Sequence, residues 1–288
     1  MTSAEEKTEF HEGNANLDPA TVAGFGDEWS RFTQDRLDDD ARERIFQDYF
    51  AVFPWGVLPP NAVGADVGCG SGRWAQLVAP RVGGLILIDA SPDALAVARH
   101  NLIGVPNVHF QHASIGALPM ADASLDFAYS LGVLHHVPDT AAAIRAITAK
   151  LKPGAPFLIY LYYAFDNRGV SYRTLWRISD LVRRGVSRLP FALRYPASQI
   201  LATLVYWPLA RTARVLERLG ALPGSWPLAY YRDKPFYVLR TDALDRFGTR
   251  LEQRFSRAEI HAMLSDAGYV DIRFSERAPY WCAVGIKG

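Results

Sequence analysis

Residues 62–89, AVGADVGCGSGRWAQLVAPRVGGLILID, decide how this chain of 288 residues folds. The stretch reads strand, glycine loop, helix, strand, acid. Val63 to Val67 is a short apolar run, and Gly68, Gly70 and Gly72 follow it directly. Trp74 to Val78 carries a helical pattern that Pro80 stops. Leu85 to Ile88 is a second apolar run, closed by Asp89. A parallel strand-helix-strand unit of this kind receives its ligand outside the carboxyl ends of the strands. Glycines let the backbone pass close to a ligand at the helix N-terminus, where unpaired N–H groups face it. An acid at the end of the second strand can accept both hydroxyls of a ribose.

The spacing of the loop narrows the ligand. It is G-x-G-x-G, and the third glycine of a dinucleotide fingerprint would fall at Arg73. A phosphate-gripping loop would need Gly-Lys followed by Ser or Thr, which is absent. The first observation argues against a nicotinamide-dependent dehydrogenase. Asp66, two residues before Gly68, suits a ligand ammonium better than a pyrophosphate. A glycine turn with no ligand is the plain alternative. The string D-V-G-C-G-S-G at 66–72 resembles the first motif of the class I S-adenosylmethionine-dependent methyltransferases.

Further strings carry the same resemblance. Phe25-Gly-Asp-Glu-Trp-Ser-Arg-Phe32 is similar to a segment preceding the cofactor domain in many small-molecule methyltransferases. Its Phe25, Trp29 and Phe32 are spaced to share one helix face. They read either as an ordinary docked helix or as a lid over the cofactor. Leu118-Pro119, Asp122 to Phe127 and Leu131 to His136 follow the pattern of the ubiquinone/menaquinone methyltransferase type, as does Leu151-Lys-Pro-Gly154. The resemblance runs from Phe25 to Tyr162 and returns, with fewer motifs, from Ser256 to the end.

The resemblance implies S-adenosylmethionine as cofactor and a set of contacts. Asp66 is expected near the methionine amino group, with Gly68 and Gly70 letting the backbone approach the methionine and ribose. Arg73 is expected to reach the carboxylate, Asp89 to hold the ribose hydroxyls, and Ala90 to flank adenine. Leu131 is expected to border the cofactor and Trp29 to close over it. Ser114 stands where the family often has an acid for the adenine amino group, and a neutral acceptor there is weaker. Methyl transfer is an in-line displacement, so much of the gain comes from positioning. A hydroxyl or carbon-acid acceptor also benefits from a base. His136 is the candidate, beside the reading that His135 and His136 only fix a turn. Tyr162 is a second candidate. No metal-ligand spacing appears.

The remainder of the chain frames this core. Net charge is +1, which implies neither nucleic acid nor membrane as a partner. The loop after Ser130 also lacks the Asn/Asp-Pro-Pro-aromatic tetrapeptide of amino-directed DNA methyltransferases. Charge is uneven: Asp38, Asp39 and Asp40 stand in a row, whereas residues 168–240 are rich in arginine. The two cysteines, Cys69 and Cys282, suggest no disulfide framework. No secretion signal is visible, and the run Ile200 to Ala210 is too short to span a bilayer, so a cytoplasmic protein is expected.

The expected fold is α/β: a doubly wound, Rossmann-like, seven-stranded, mostly parallel sheet with a reversed last hairpin and an inserted helical cap. Residues 1–60 are expected to form a tail and aromatic lid helices, 61–162 the cofactor-binding core, 163–250 the cap, and 251–288 the closing helix and hairpin. Two helical patterns fill the cap, from about Tyr172 to Ser187 and from about Ser198 to Leu219, each apolar on one side and arginine-rich on the other. The cap reads as packing for the main domain, as a wall of a substrate pocket, or as a surface for a membrane or lipid-like substrate. The functional expectation is methyl transfer to a small, hydrophobic or anionic acceptor. The alternatives are a peripheral enzyme acting on a lipid, a non-catalytic cofactor-binding scaffold, and the disfavoured dehydrogenase. Oligomeric state is left open.

Overall fold

The computed structural model describes residues 16–32, 39–224 and 226–288. Asp38 and the start of the acidic tail lie outside the described residues. Seven strands form one sheet: β1 (Val63–Val67), β2 (Gly84–Asp89), β3 (Val108–His112), β4 (Phe127–Leu131), β5 (Pro156–Tyr160), β6 (Tyr269–Phe274) and β7 (Cys282–Lys287). Their spatial order is β3-β2-β1-β4-β5-β7-β6. β7 alone runs against the others, paired antiparallel to both β5 and β6. The chain thus moves outward from β1 to β3, returns to β4 beside β1, and moves outward again. The reversal between β1 and β4 opens a crevice above their carboxyl ends.

Helices cover both faces. α1 (Pro19–Arg31) and α2 (Asp39–Phe50) precede the sheet, and α3 (Ala75–Val78), α4 (Pro92–Asn101) and α5 (Thr140–Lys150) connect its strands. One core packs Leu85, Leu87, Phe127 and Tyr129 against Phe46, Phe50, Trp74 and Leu95. The opposite core packs Ala65, Val67, Ile88 and Ile159 against Ile144, Ile147, Ile260 and Leu264. Adjacent strand residues enter opposite cores, as the two-residue period of a strand requires. Helix starts follow their local chemistry. Ser91 accepts from Ala94 N at 3.3 Å, with Pro92 at the first helical position of α4. Asp139 accepts from Ala142 N at 2.8 Å to start α5. Ser256 and Glu259 form a reciprocal capping box that starts α10 (Arg257–Asp266).

Between β5 and α10 lies the helical insertion. It holds α6 (Val170–Val186), α7 (Phe191–Leu201), a π-helical segment (Ala202–Tyr206), α8 (Trp207–Arg218) and α9 (Phe236–Gly248). The second expected helix therefore begins earlier than Ser198 and continues through the π segment as one rod. α9 is an addition to the expected pair. It packs on the rod through a small core of Ala202, Tyr206, Ala210, Leu239, Ala243 and Phe247. It also touches α1 and α6, so it joins the cap to the first helix.

Candidate functional site

The glycine loop turns sharply because three residues adopt the left-handed region: Gly68 at φ +80°, Gly70 at +54° and Gly72 at +73°. The space around it is also full. A Cβ on Gly68 would meet Val133 at 2.4 Å, and one on Gly70 would meet the Trp29 indole at 2.8 Å. The loop is tied to the second strand by Gly68 N and Cys69 N, both donating to Ile88 O. Asp89 completes the knot. Its Oδ2 accepts from Gly70 N at 2.9 Å and its Oδ1 from Ser91 N at 2.8 Å. Each oxygen keeps a second lone pair for a hydroxyl. Burial holds the Asp89 carboxyl above the usual carboxylate range, while the two amides pull it back.

A cavity of about 900 Å³, including its open mouth, lies over this knot. Its wall carries Trp29, Gly68, Arg73, Asp89, Ala90, Leu131 and His136, seven of the residues singled out in the sequence. Ala113, Ile115 and Ala90 give one end an apolar lining suited to a flat base. Phe25 and Trp29, four apart on α1, close the other side. Phe32 does not join them. It is buried against Tyr237 and Tyr195, its ring centroids 5.5 and 6.2 Å from theirs. The expected three-ring lid face is thus two rings on the cavity and one docking the cap.

Three expected contacts are placed elsewhere. The Asp66 carboxyl lies within the sheet, in register with Leu87 and Tyr129, and accepts from the Tyr129 hydroxyl at 3.0 Å. It is off the cavity wall because its side chain points into the core shared by Leu87 and Tyr129. Burial pushes its pKa up to about 8. Ser114 is also off the wall. In extended backbone its side chain points opposite to those of Ala113 and Ile115, which line the cavity, and its buried Oγ has no partner. Gly70 is covered by Trp29, and its amide serves Asp89 rather than the open cavity.

A second chamber of about 1310 Å³, open to solvent in part, adjoins the first. The two share Phe25, Trp29, Arg73, Leu131 and Gly132. The second is walled by tyrosines, among them Tyr49, Tyr160 and Tyr162, and by charged groups from the lid and cap: Glu28, Asp242, Asp245, Arg246 and Arg254. Burial raises the Glu28 carboxyl well above its usual range, helped by Asp245, and raises Asp242 to about 6.

His136 lines the first cavity, and its ring packs near Tyr162 and Asp245, which line the second. Its Nδ1 lies 2.6 Å from the Leu251 carbonyl. A carbonyl only accepts, so Nδ1 carries the proton and Nε2 of the neutral ring is left as a base. Nε2 has no hydrogen-bond partner and faces Asp245 Oδ1, also unpartnered, at 3.6 Å. That gap is too long for a hydrogen bond. The other Asp245 oxygen accepts from the Tyr162 hydroxyl. Burial, then Asp245, drives the Tyr162 pKa far upward, so this phenol is a proton donor rather than the base allowed for in the sequence. His135 stacks on Tyr162 with centroids 3.9 Å apart, and burial keeps its ring neutral. The segment after α9 is strapped to this loop by Gln253, whose backbone N donates to His135 O and whose Nε2 donates to Val137 O.

Asp245, Asp242 and Glu28 were not singled out from the sequence. The signal existed: in Thr241-Asp-Ala-Leu-Asp-Arg246, spacings of three and four put Asp242, Asp245 and Arg246 on one helix face. Among the described residues no group of three or more His, Cys, Asp or Glu could hold a metal.

Comparison with known proteins agrees with this geometry. Residues 65–159 match the family described as a methyltransferase domain. The ubiquinone biosynthesis O-methyltransferase of Paracidovorax citrulli is 29% identical over 164 residues, covering 54% of this chain and 64% of the relative. That of Hahella chejuensis is 36% identical over 113 residues, covering 38% of this chain and 45% of the relative. The chain spans about half the length of such curated relatives. A Thermotoga maritima structure, described as a possible histamine N-methyltransferase, aligns over 93% of this chain and all of its own at 16% identity and a TM-score of 0.47. The matched segment runs from β1 to β5 and contains the glycine loop and Asp89, so this part of the chain is similar to a methyltransferase domain.

Proposed function

We propose that this chain transfers a methyl group from S-adenosylmethionine to a hydroxyl of a small, largely apolar acceptor. The observation that carries the proposal is the junction of the two cavities. A nucleoside-sized cavity ending on Asp89 and lined by His136 meets a tyrosine-walled chamber, and the buried, unpartnered His136 Nε2 faces Asp245 of the chamber wall. The residues fit the cofactor. Asp89 has a lone pair to spare on each oxygen for the ribose, Ala90, Ala113 and Ile115 offer an apolar seat for adenine, and Arg73 supplies a cation for the carboxylate. When bound, S-adenosylmethionine supplies an electrophilic methyl carbon on a sulfonium and leaves as the neutral thioether.

The protein's own groups do the rest. Phe25 and Trp29 cover the junction and exclude water. The tyrosine walls hold the acceptor ring or chain, and Arg246 and Arg254 favour electron-rich oxygen. His136 Nε2 would take the proton of the acceptor hydroxyl as that oxygen is methylated. The resulting imidazolium faces the Asp245 carboxylate across 3.6 Å and is stabilised by it. The Leu251 carbonyl fixes the ring orientation and tautomer, and Tyr162 fixes Asp245. In this scheme Tyr162 positions Asp245 rather than removing a proton. The named activity of the O-methyltransferase relatives is in keeping with a hydroxyl acceptor. The test is incubation of the purified protein with methyl-labelled S-adenosylmethionine and a cell extract, followed by mass analysis. The proposal expects one dominant product gaining a methyl on oxygen. Absence of any labelled product, or label only on nitrogen, contradicts it.

A further inference from the structure

The cap turns the wrong side outward. In an ordinary surface helix the apolar stripe faces the core. In α6 the buried positions include Asp180 and Arg183, joined by an ion pair of 2.7 Å, while Ile178 and Leu181 are 57% and 68% exposed. At 100° per residue, Val170, Leu181, Ile178, Val182 and Leu175 fall within one outward arc of about 140°, and all are exposed. Arg177, Arg184 and Arg173 lie along one edge of that arc. The α7–α8 rod repeats the theme. Leu193, Ile200, Leu204, Val215 and Leu219 are exposed, and successive members are separated by near-whole helical turns. Among the described residues no helix is long and apolar enough to cross a membrane, so such a surface lies on an apolar medium rather than through it.

Charge selects the medium. Residues 170–220 contain nine arginines, no lysine and two carboxylates. Of those carboxylates, Asp180 is buried between Arg183 and Arg184, and Glu217 is paired with Arg232. The exposed Arg173, Arg177, Arg188 and Arg218 make no ion pair among the described residues. A second copy of the chain would set arginine edge against arginine edge in a two-fold contact. An anionic lipid surface satisfies both the apolar arc and its cationic edge.

Between α6 and the rod lies an apolar cleft whose walls include Trp176, Leu201 and Leu209. Leu175 and Val205 line it and are themselves exposed, which places them at its mouth on this same surface. At its inner end the cleft shares Phe165, Tyr172, Tyr206, Leu228 and Arg246 with the tyrosine-walled chamber. We propose that the outer face of α6 and the α7–α8 rod rests on an anionic bilayer, and that the acceptor is an amphiphile drawn from it, its apolar tail held in the cleft. The second half of this rests on the methyl-transfer reading; the first does not.

The test is flotation of the full chain with vesicles of phosphatidylcholine, alone or mixed with phosphatidylglycerol. Binding to the mixed vesicles is expected to be at least about ten-fold stronger, each arginine near the surface contributing about five-fold. Paired Ile178→Asp and Leu181→Asp substitutions are expected to abolish flotation. Arg173→Ala with Arg177→Ala is expected to weaken it about twenty-fold. All variants should give the wild-type heat with S-adenosylhomocysteine. Failure to float with either vesicle overturns the proposal. So does a dimer in solution that the two aspartates dissociate, since the face would then join copies of the chain. With methyl-labelled cofactor and vesicles of total cell lipid, label in the chloroform phase supports the tail cleft, and label confined to the aqueous phase overturns it. A chain that floats but gives no heat with S-adenosylhomocysteine retains the docking surface and loses the methyl-transfer reading instead.

Discussion

The two cavities that meet at Phe25 and Trp29 are built in different ways. The cofactor side is local: the glycine loop and Asp89 come from 22 consecutive residues, 68–89, tied by bonds such as Gly70 N to Asp89 at 2.9 Å. The acceptor side is assembled over long range. His136 sits after β4, Tyr162 after β5, Glu28 on α1 and Asp245 on α9, and they meet only when lid and cap dock on the sheet. On the proposed function, the contrast makes cofactor affinity and turnover separable. The first depends on one crossover unit, the second on the seating of an insertion.

Substitutions should break the two sides apart. The largest effect is expected from Asp89→Ala, which removes the proposed acceptor of the ribose hydroxyls and leaves Gly70 N unpaired. Affinity for S-adenosylhomocysteine should fall about a hundred-fold or more by calorimetry. Next is His136→Ala, expected to lower kcat by about 10²- to 10⁴-fold while cofactor affinity stays within a few-fold. Asp245→Asn should follow in the same direction by about ten- to a hundred-fold, because the imidazolium loses its counter-charge. If Asp245→Asn instead weakened the cofactor as much as Asp89→Ala, the division between the sides would not hold.

Tyr162→Phe sharpens the comparison. The phenol is held protonated, so its loss should lower kcat by about ten-fold through a looser Asp245. A base at Tyr162 would instead show as a loss of kcat as large as that of His136→Ala.

What the sequence disclosed follows the same line. The G-x-G-x-G loop, Asp89 and the Ser256 capping box depend on neighbours a few residues away, and the reversed β7 followed from the family resemblance; all stand where they were expected. Asp66 and Ser114 lay within such motifs, yet their side chains left the cavity. Strand alternation decided that, with Asp66 turned to Tyr129 and Ser114 turned away from Ala113 and Ile115. Asp245 was invisible for another reason. Its importance comes from a histidine more than a hundred positions earlier, and no local pattern encodes that meeting. The exposed apolar arc of α6 was visible as amphipathicity, but the sequence could not say which side the fold would bury.

The smallest effect concerns stability. The pKa of Asp66, raised to about 8 by burial, means the folded chain holds a proton that the unfolded chain releases near pH 4. Stability from this group is therefore fully present below about pH 4 and declines as pH rises towards 8. Asp66→Asn should flatten that decline in thermal melts, with cofactor affinity little changed. A large loss of affinity would return Asp66 to the cofactor side of the comparison.

The central claim is that the glycine loop and Asp89 seat a sulfonium nucleoside rather than a dinucleotide. Calorimetric titration of the purified chain with S-adenosylhomocysteine and, separately, with NAD tests it most directly. The account predicts saturable one-to-one heat with the first and none with the second. Heat with NAD, or none with S-adenosylhomocysteine, contradicts it.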